Sequence, residues 1–182
     1  MALIQVVHAH PYPRRSRACA ALEAAIRDLP HLEVRRLYDR YPDFDIDVPA
    51  EQAALEAAKL LVWLHPIHWY TAPGLLKHWM DIVLTRGFAY GEGGHKLRGK
   101  HCLWVPTAGG DEVAYSAEGR HTLPLSTFEP VMAQTARYCG MEWLDPMPVL
   151  GAHHIDDATL AAHGQHLRER LVRWTAQHAP HA

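Results

Sequence analysis

Three short stretches of the chain carry residue types suited to holding a flat, phosphorylated ligand. His10-Pro11-Tyr12-Pro13 with Ser16 leads into a helical pattern, Pro66-Ile67-His68-Trp69-Tyr70 sets aromatic rings on a loop, and Thr107-Ala108-Gly109-Gly110 is a turn of small residues. A loop that opens a helix presents free N–H groups to phosphate. An aromatic shelf accepts a planar ring, and small residues let backbone N–H groups reach its polar edge. Phosphate, ring and polar edge together describe flavin mononucleotide. Neither G-x-G-x-x-G nor G-x-x-x-x-G-K-[ST] occurs, which disfavours a Rossmann-type dinucleotide and a nucleoside triphosphate.

These stretches need elements that bring them together. Leu3 to Ala9 reads as a buried strand that stops at two prolines, and Ser16 is placed to cap a helix whose Ala18, Leu22, Ala25, Ile26 and Leu29 share a face up to Pro30. Glu33 to Leu37 is a second strand, Tyr41 to Asp47 a loop rich in Asp and Pro, and about Pro49 to Ala58 a helix. Lys59 to His65 is a third strand, Pro73 to Leu84 a helix, and Lys100 to Pro106 a fourth strand. A helix from about Ser126 to Cys139 leads to a fifth strand near Met147 to Leu150. The last helix is capped by Asp156 and stapled by Ile155 onto Leu160. The alternation predicts an α/β fold, an open parallel five-stranded sheet with helices on both faces, as a single domain over 1–182. Strands one, three and four then deliver the three stretches to one edge of the sheet.

Composition narrows the function. The chain has 182 residues, 48% of them hydrophobic, and a net charge of −2 at pH 7, so no basic footprint for nucleic acid is visible. Three scattered cysteines, Cys19, Cys102 and Cys139, fit a reducing compartment, and no apolar run approaches the ~20 residues of a membrane span, so a cytoplasmic location is expected. Fifteen histidines include His153-His154 and the His163, His166 pair, but no set with metal-ligand spacing, so no metal is expected. Trp79 and Trp174, at helical spacing with leucines, read as core.

Beyond these readings, the chain resembles the flavodoxin-like NAD(P)H:quinone oxidoreductases, and within them the ancillary flavoproteins of glutathione-regulated potassium efflux systems. The first loop with Ser16, Tyr41 to Asp47, Trp69 to Asp81, Thr85-Arg86-Gly87-Phe88-Ala89-Tyr90-Gly91 and Thr107 to Gly110 carry the resemblance in order along nearly the whole chain. It implies that His10, Ser16, Arg17, Ala18 and Cys19 hold the FMN phosphate and ribityl chain, that Ile67, His68, Trp69 and Tyr70 border the ring after Pro66, and that Thr107, Ala108, Gly109 and Gly110 line its pyrimidine edge. Tyr115 and His121 match the spacing of a substrate-side Tyr and His. The resemblance also implies NAD(P)H as co-substrate, a quinone as acceptor, ping-pong kinetics, a homodimer, and a potassium/proton antiporter as partner. A flavin-binding activator without turnover and a one-electron carrier are the alternatives. Two positions depart from the pattern, His68 where Gln is usual and Ala108 where a second Thr is usual. No tail of the kind found in larger members follows the last helix, so FMN is expected rather than FAD.

Overall fold

The computed structural model describes residues 2–178, the Arg14 side chain apart; Met1 and residues 179–182, the ends of the expected 1–182 domain, lie outside the described residues. Five parallel strands form one sheet in the order 2-1-3-4-5, the flavodoxin-like arrangement expected from the sequence. The elements run β1 (Ile4–His8), α1 (Arg17–Ile26), β2 (Leu32–Arg36), α2 (Leu37–Arg40), α3 (Val48–Ala57), β3 (Leu60–Pro66), α4 (Gly74–Val83), β4 (His101–Thr107), α5 (Glu129–Tyr138), β5 (Glu142–Trp143) and α6 (Asp157–His178).

Side chains alternate along a strand, so each buried strand feeds two cores. Val6, Val62, Leu103 and Val105 face α1 and α6, whereas Val7, Trp63 and Trp104 face the side covered by α3, α4 and α5. Leu75, Leu76, Trp79, Met80 and Val83 form one buried stripe on α4, which places the loop before it against the sheet. Trp79 and Trp174 are core residues, as expected. Asp156 caps α6, its Oδ1 accepting the Thr159 N–H at 2.8 Å. Asp47 caps α3 in the same way, which starts that helix one residue before the expected Pro49.

The fifth strand departs from its expected place at Met147 to Leu150. Regular pairing spans Glu142–Trp143, and Val149 meets Thr107 only in an isolated bridge. The ladder nevertheless continues, with the N–H groups of Leu144, Met147 and Val149 donating to the carbonyls of Cys102, Trp104 and Pro106, each at 2.9 Å. Three residues on this edge oppose two on β4 between the first and second of these bonds, a bulge at Asp145-Pro146. Pro146 and Pro148 have no N–H to add to it.

His65, one residue before the end of β3, is fully buried, with Trp104 Nε1 donating to its Nε2 at 2.8 Å and its Nδ1 2.9 Å from the Pro66 carbonyl. The tryptophan donates only, so the ring is neutral with its proton on Nδ1. Burial, with His68 and His8 nearby, holds the His65 pKa down at about 4. An unfolded imidazole takes its proton near 6.5, so between about pH 6.5 and 4 the unfolded chain binds more protons and stability falls as pH falls. The expected loss from this residue is about 3 kcal/mol by pH 4, read as a urea midpoint that is flat above pH 7 and declines below it. A midpoint unchanged from pH 7 to pH 4 would contradict a neutral buried ring.

Candidate functional site

The carboxyl ends of β1, β3 and β4 converge as expected, and a cleft of ≈ 280 Å³ opens between their loops. The first loop contributes His10, Arg17, Ala18 and Cys19 to the wall, the second Pro66, Ile67 and His68, and the third Thr107 and Gly109. The Ile67 N–H donates to the Thr107 carbonyl at 2.7 Å, which ties the second and third loops together.

Ser16 is the N-cap of α1, but its hydroxyl makes no cap bond, contrary to the sequence expectation. The residue is 6% exposed and its Oγ has no hydrogen-bond partner. Beside it lie the first N–H groups of α1, which no helical carbonyl can take. Arg17 lines the cleft yet sends its guanidinium to Ile155 O at 2.6 Å and Asp157 Oδ1 at 2.5 Å, so its charge is already matched. The Cys19 thiol lies 3.3 Å from Thr107 Oγ1, and burial pushes its pKa up to about 11, which keeps it protonated and unreactive. Burial first, then His8 and His68 nearby, hold His10 down at about 4, and burial lowers His68 as well. Both rings are therefore neutral at pH 7.

His68 and Thr71 exchange two backbone bonds of 3.0 Å each, which makes Trp69-Tyr70 the tip of a two-residue hairpin at φ 47° and 65°. Bulky side chains rarely adopt this left-handed region, and the strain marks the turn as held for a purpose. Trp69 is 91% exposed and is not part of the cleft wall, so within one chain it is not the shelf the sequence suggested. Tyr70 stacks on Phe128 with ring centroids 4.9 Å apart and sets its hydroxyl 3.3 Å from His121 Nδ1.

The third loop divides its labour. Ala108 donates its N–H to the Val149 carbonyl at 2.9 Å and packs its methyl with Tyr115 and Leu125, so it is core, and its N–H is not free for a ligand as expected. Gly109 faces the cleft, and a Cβ there would come within 2.5 Å of the His153 ring. At Gly110 a Cβ would lie 3.0 Å from both His121 Nε2 and Tyr115 Cε2. Tyr115 and His121 stack with centroids 4.2 Å apart and, with Tyr70, form a cluster beside the cleft rather than in its wall.

Three wall residues escaped the sequence reading, Arg15, Ala152 and His153, and Tyr12 was named there only as part of the first loop. Ala152 and His153 follow the bulged edge strand, whose carboxyl end reaches the same edge as the other three. His153 was readable only as one of many histidines, because its role depends on Gly109 having no side chain. Among the described residues no group of three or more His, Cys, Asp or Glu is placed to hold a metal, and no helix is long and apolar enough to cross a membrane.

Comparison with known proteins accords with this geometry. A family model for the flavodoxin-like fold matches residues 3–171. The glutathione-regulated potassium-efflux system ancillary protein KefF of Enterobacter sp. (strain 638) is 43% identical over 176 residues, which cover 97% of this chain and 99% of that protein. Among solved structures, general stress protein 14 from Treponema denticola in complex with FMN superposes with a TM-score of 0.82 at 29% identity, covering 96% of this chain and 98% of that one. An NADPH-quinone reductase from P. pentosaceus superposes with a TM-score of 0.83 at 25% identity, covering 93% and 97%. The sheet order, the three-loop cleft and these matches lead to one assignment: the chain belongs to the Flavodoxin_2 family of flavodoxin-like proteins and is a homologue of KefF over nearly its whole length.

Proposed function

We propose that the chain is a single-domain, FMN-dependent NAD(P)H:quinone oxidoreductase. The observation that carries this is the cleft where Arg15 and the first residues of α1, Arg17 to Cys19, meet an apolar loop and a glycine turn; Ser16 is not in its wall, but its buried hydroxyl, without a hydrogen-bond partner, sits at the same helix terminus. A buried hydroxyl is seldom left without a partner, and a phosphate supplies acceptors for it and for the helix terminus together. Arg15, which has no acidic partner among the described residues, adds positive charge. Pro66, Ile67 and His68 border the ring, and Gly109 and Gly110 bring backbone N–H groups to its polar edge. Support comes from the FMN named in the T. denticola structure and the reductase named in that from P. pentosaceus.

When bound, FMN supplies two-electron hydride chemistry between NAD(P)H and a quinone at one place, from which ping-pong kinetics follow. The chain supplies orientation and a proton. His121 has one ring nitrogen against the Tyr70 hydroxyl and the other on the Gly110 side, where it can donate to a quinone oxygen, with Tyr115 stacked behind it. His121→Gln is expected to lower quinone turnover about 100-fold with FMN content unchanged; an unaltered rate removes it from the mechanism. The cleft, somewhat below the roughly 300–1,000 Å³ of pockets that enclose a ligand, is completed by a second copy in a homodimer, with the exposed Trp69 at the seam.

The enzyme assignment is tested by adding FMN to apoprotein and then varying NADPH and quinone. Stoichiometric binding and parallel double-reciprocal lines are expected; no binding at micromolar FMN, or intersecting lines, would overturn it. The identity with KefF favours a second role, activation of a potassium/proton antiporter from the cytoplasmic side. Rescue of efflux in a deletion strain by a turnover-dead, FMN-loaded variant would assign that role to binding alone.

A further inference from the structure

The segment between the bulged edge strand and α6, residues 149–157, is strapped to the third loop by its backbone. The Ala108 N–H donates to the Val149 carbonyl at 2.9 Å, the Gly151 N–H to the Gly110 carbonyl at 2.8 Å and the Ala152 N–H to the Ala108 carbonyl at 2.9 Å. The N–H groups of Gly109 and Gly110, by contrast, donate to no backbone carbonyl among the described residues. A turn then closes as His154 and Ile155 both donate to the Gly151 carbonyl, at 2.8 and 2.9 Å. It ends where the Arg17 guanidinium holds the Ile155 carbonyl and Asp157. The segment therefore crosses the cleft, tied at one end to the glycine turn and at the other to the start of α1.

Ala152 and His153 are what this segment adds to the cleft wall. The Cδ2–Nε2 edge of the His153 ring lies 2.5 and 2.6 Å from where a Cβ on Gly109 would stand, so the ring fills the space that the glycine leaves. No described residue hydrogen-bonds either ring nitrogen, and Nε2 is available to donate. An N–H there joins the two uncommitted glycine N–H groups, which gives one edge of the cleft three donors. Such an edge suits the acceptor-rich pyrimidine side of a flavin, and suits it better once reduction has placed negative charge there. We propose that His153 is a cofactor-contacting residue, its Nε2–H donating to the pyrimidine edge of bound FMN and holding the reduced form more tightly than the oxidised one. The inference rests on the FMN assignment and deepens it. Reduction takes a hydride, two electrons and one proton, from NAD(P)H, which leaves as NAD(P)⁺; His153 keeps its own proton and transfers none.

The test measures the midpoint potential of the FMN-loaded protein against a reference dye, and the affinity of the apoprotein for oxidised FMN, in the native chain, His153→Phe and His153→Gln. Phe keeps a ring over Gly109 and loses the donor, whereas Gln keeps an N–H. His153→Phe is expected to shift the equilibrium about tenfold toward oxidised FMN, a potential lower by about 30 mV for a two-electron couple. Linkage requires its affinity for reduced FMN to fall about tenfold more than its affinity for oxidised FMN. His153→Gln should restore most of the potential. FMN bound as before with a potential that His153→Phe leaves unmoved, or moved equally by Phe and Gln, overturns the inference and leaves the cofactor assignment standing. A native chain that takes up no FMN overturns both.

Discussion

Glu51→Gln should destabilise the protein by about 3–5 kcal/mol, a large part of the stability of a domain this size. Glu51 is 1% exposed and accepts four bonds: from Arg35 Nε at 2.8 Å and Nη2 at 2.5 Å, from the Tyr41 hydroxyl at 2.6 Å and from Trp79 Nε1 at 2.9 Å. It thereby joins β2, the start of the 41–47 loop, α3 and α4. A neutral amide leaves the Arg35 charge buried with only the half-exposed Glu33 to balance it. Urea denaturation should show the lower midpoint with an unaltered slope. The double variant with Arg35→Met should recover part of the loss, since no unpaired charge is then buried. A loss below about 1 kcal/mol would mean that the clasp is no more than a surface ion pair.

The second large effect separates binding from folding. Ser16→Ala should weaken FMN about 10- to 100-fold, the worth of a hydrogen bond to a charged group. The apoprotein should be as stable as before or slightly more so, because the hydroxyl removed is buried and has no partner to lose. Fluorescence titration and urea unfolding of the same apoprotein read the two quantities. A destabilised apoprotein with unchanged FMN affinity would show that Ser16 serves the fold and not the ligand.

The sheet was legible because each buried strand is an apolar run cut off by Pro or Gly, and the helices because their apolar positions recur on one face. The edge strand was not, because Asp145-Pro146-Met147-Pro148 carries its pairing only through alternate residues and a bulge. The site divides in the same way. Residues whose backbone forms the wall, such as Ala18, Pro66 and Gly109, follow from strand ends alone. Roles set by partners far along the chain do not: Ala108 is core because Val149 takes its N–H, and Trp69 points outward because His68 and Thr71 close a hairpin beneath it. The Glu51 clasp was hidden for the same reason, since a carboxylate on a helix reads as solvated until Arg35, Tyr41 and Trp79 are seen around it.

The central claim is that three strand-end loops hold FMN where NAD(P)H and a quinone meet it in turn. The most direct measurement is the visible spectrum of the purified protein under anaerobic conditions. The account predicts a yellow protein whose released chromophore is FMN, which bleaches on adding NADPH and regains its colour on adding a quinone. A colourless protein that refuses added FMN, or a yellow one that NADPH and NADH both leave unbleached, would contradict it.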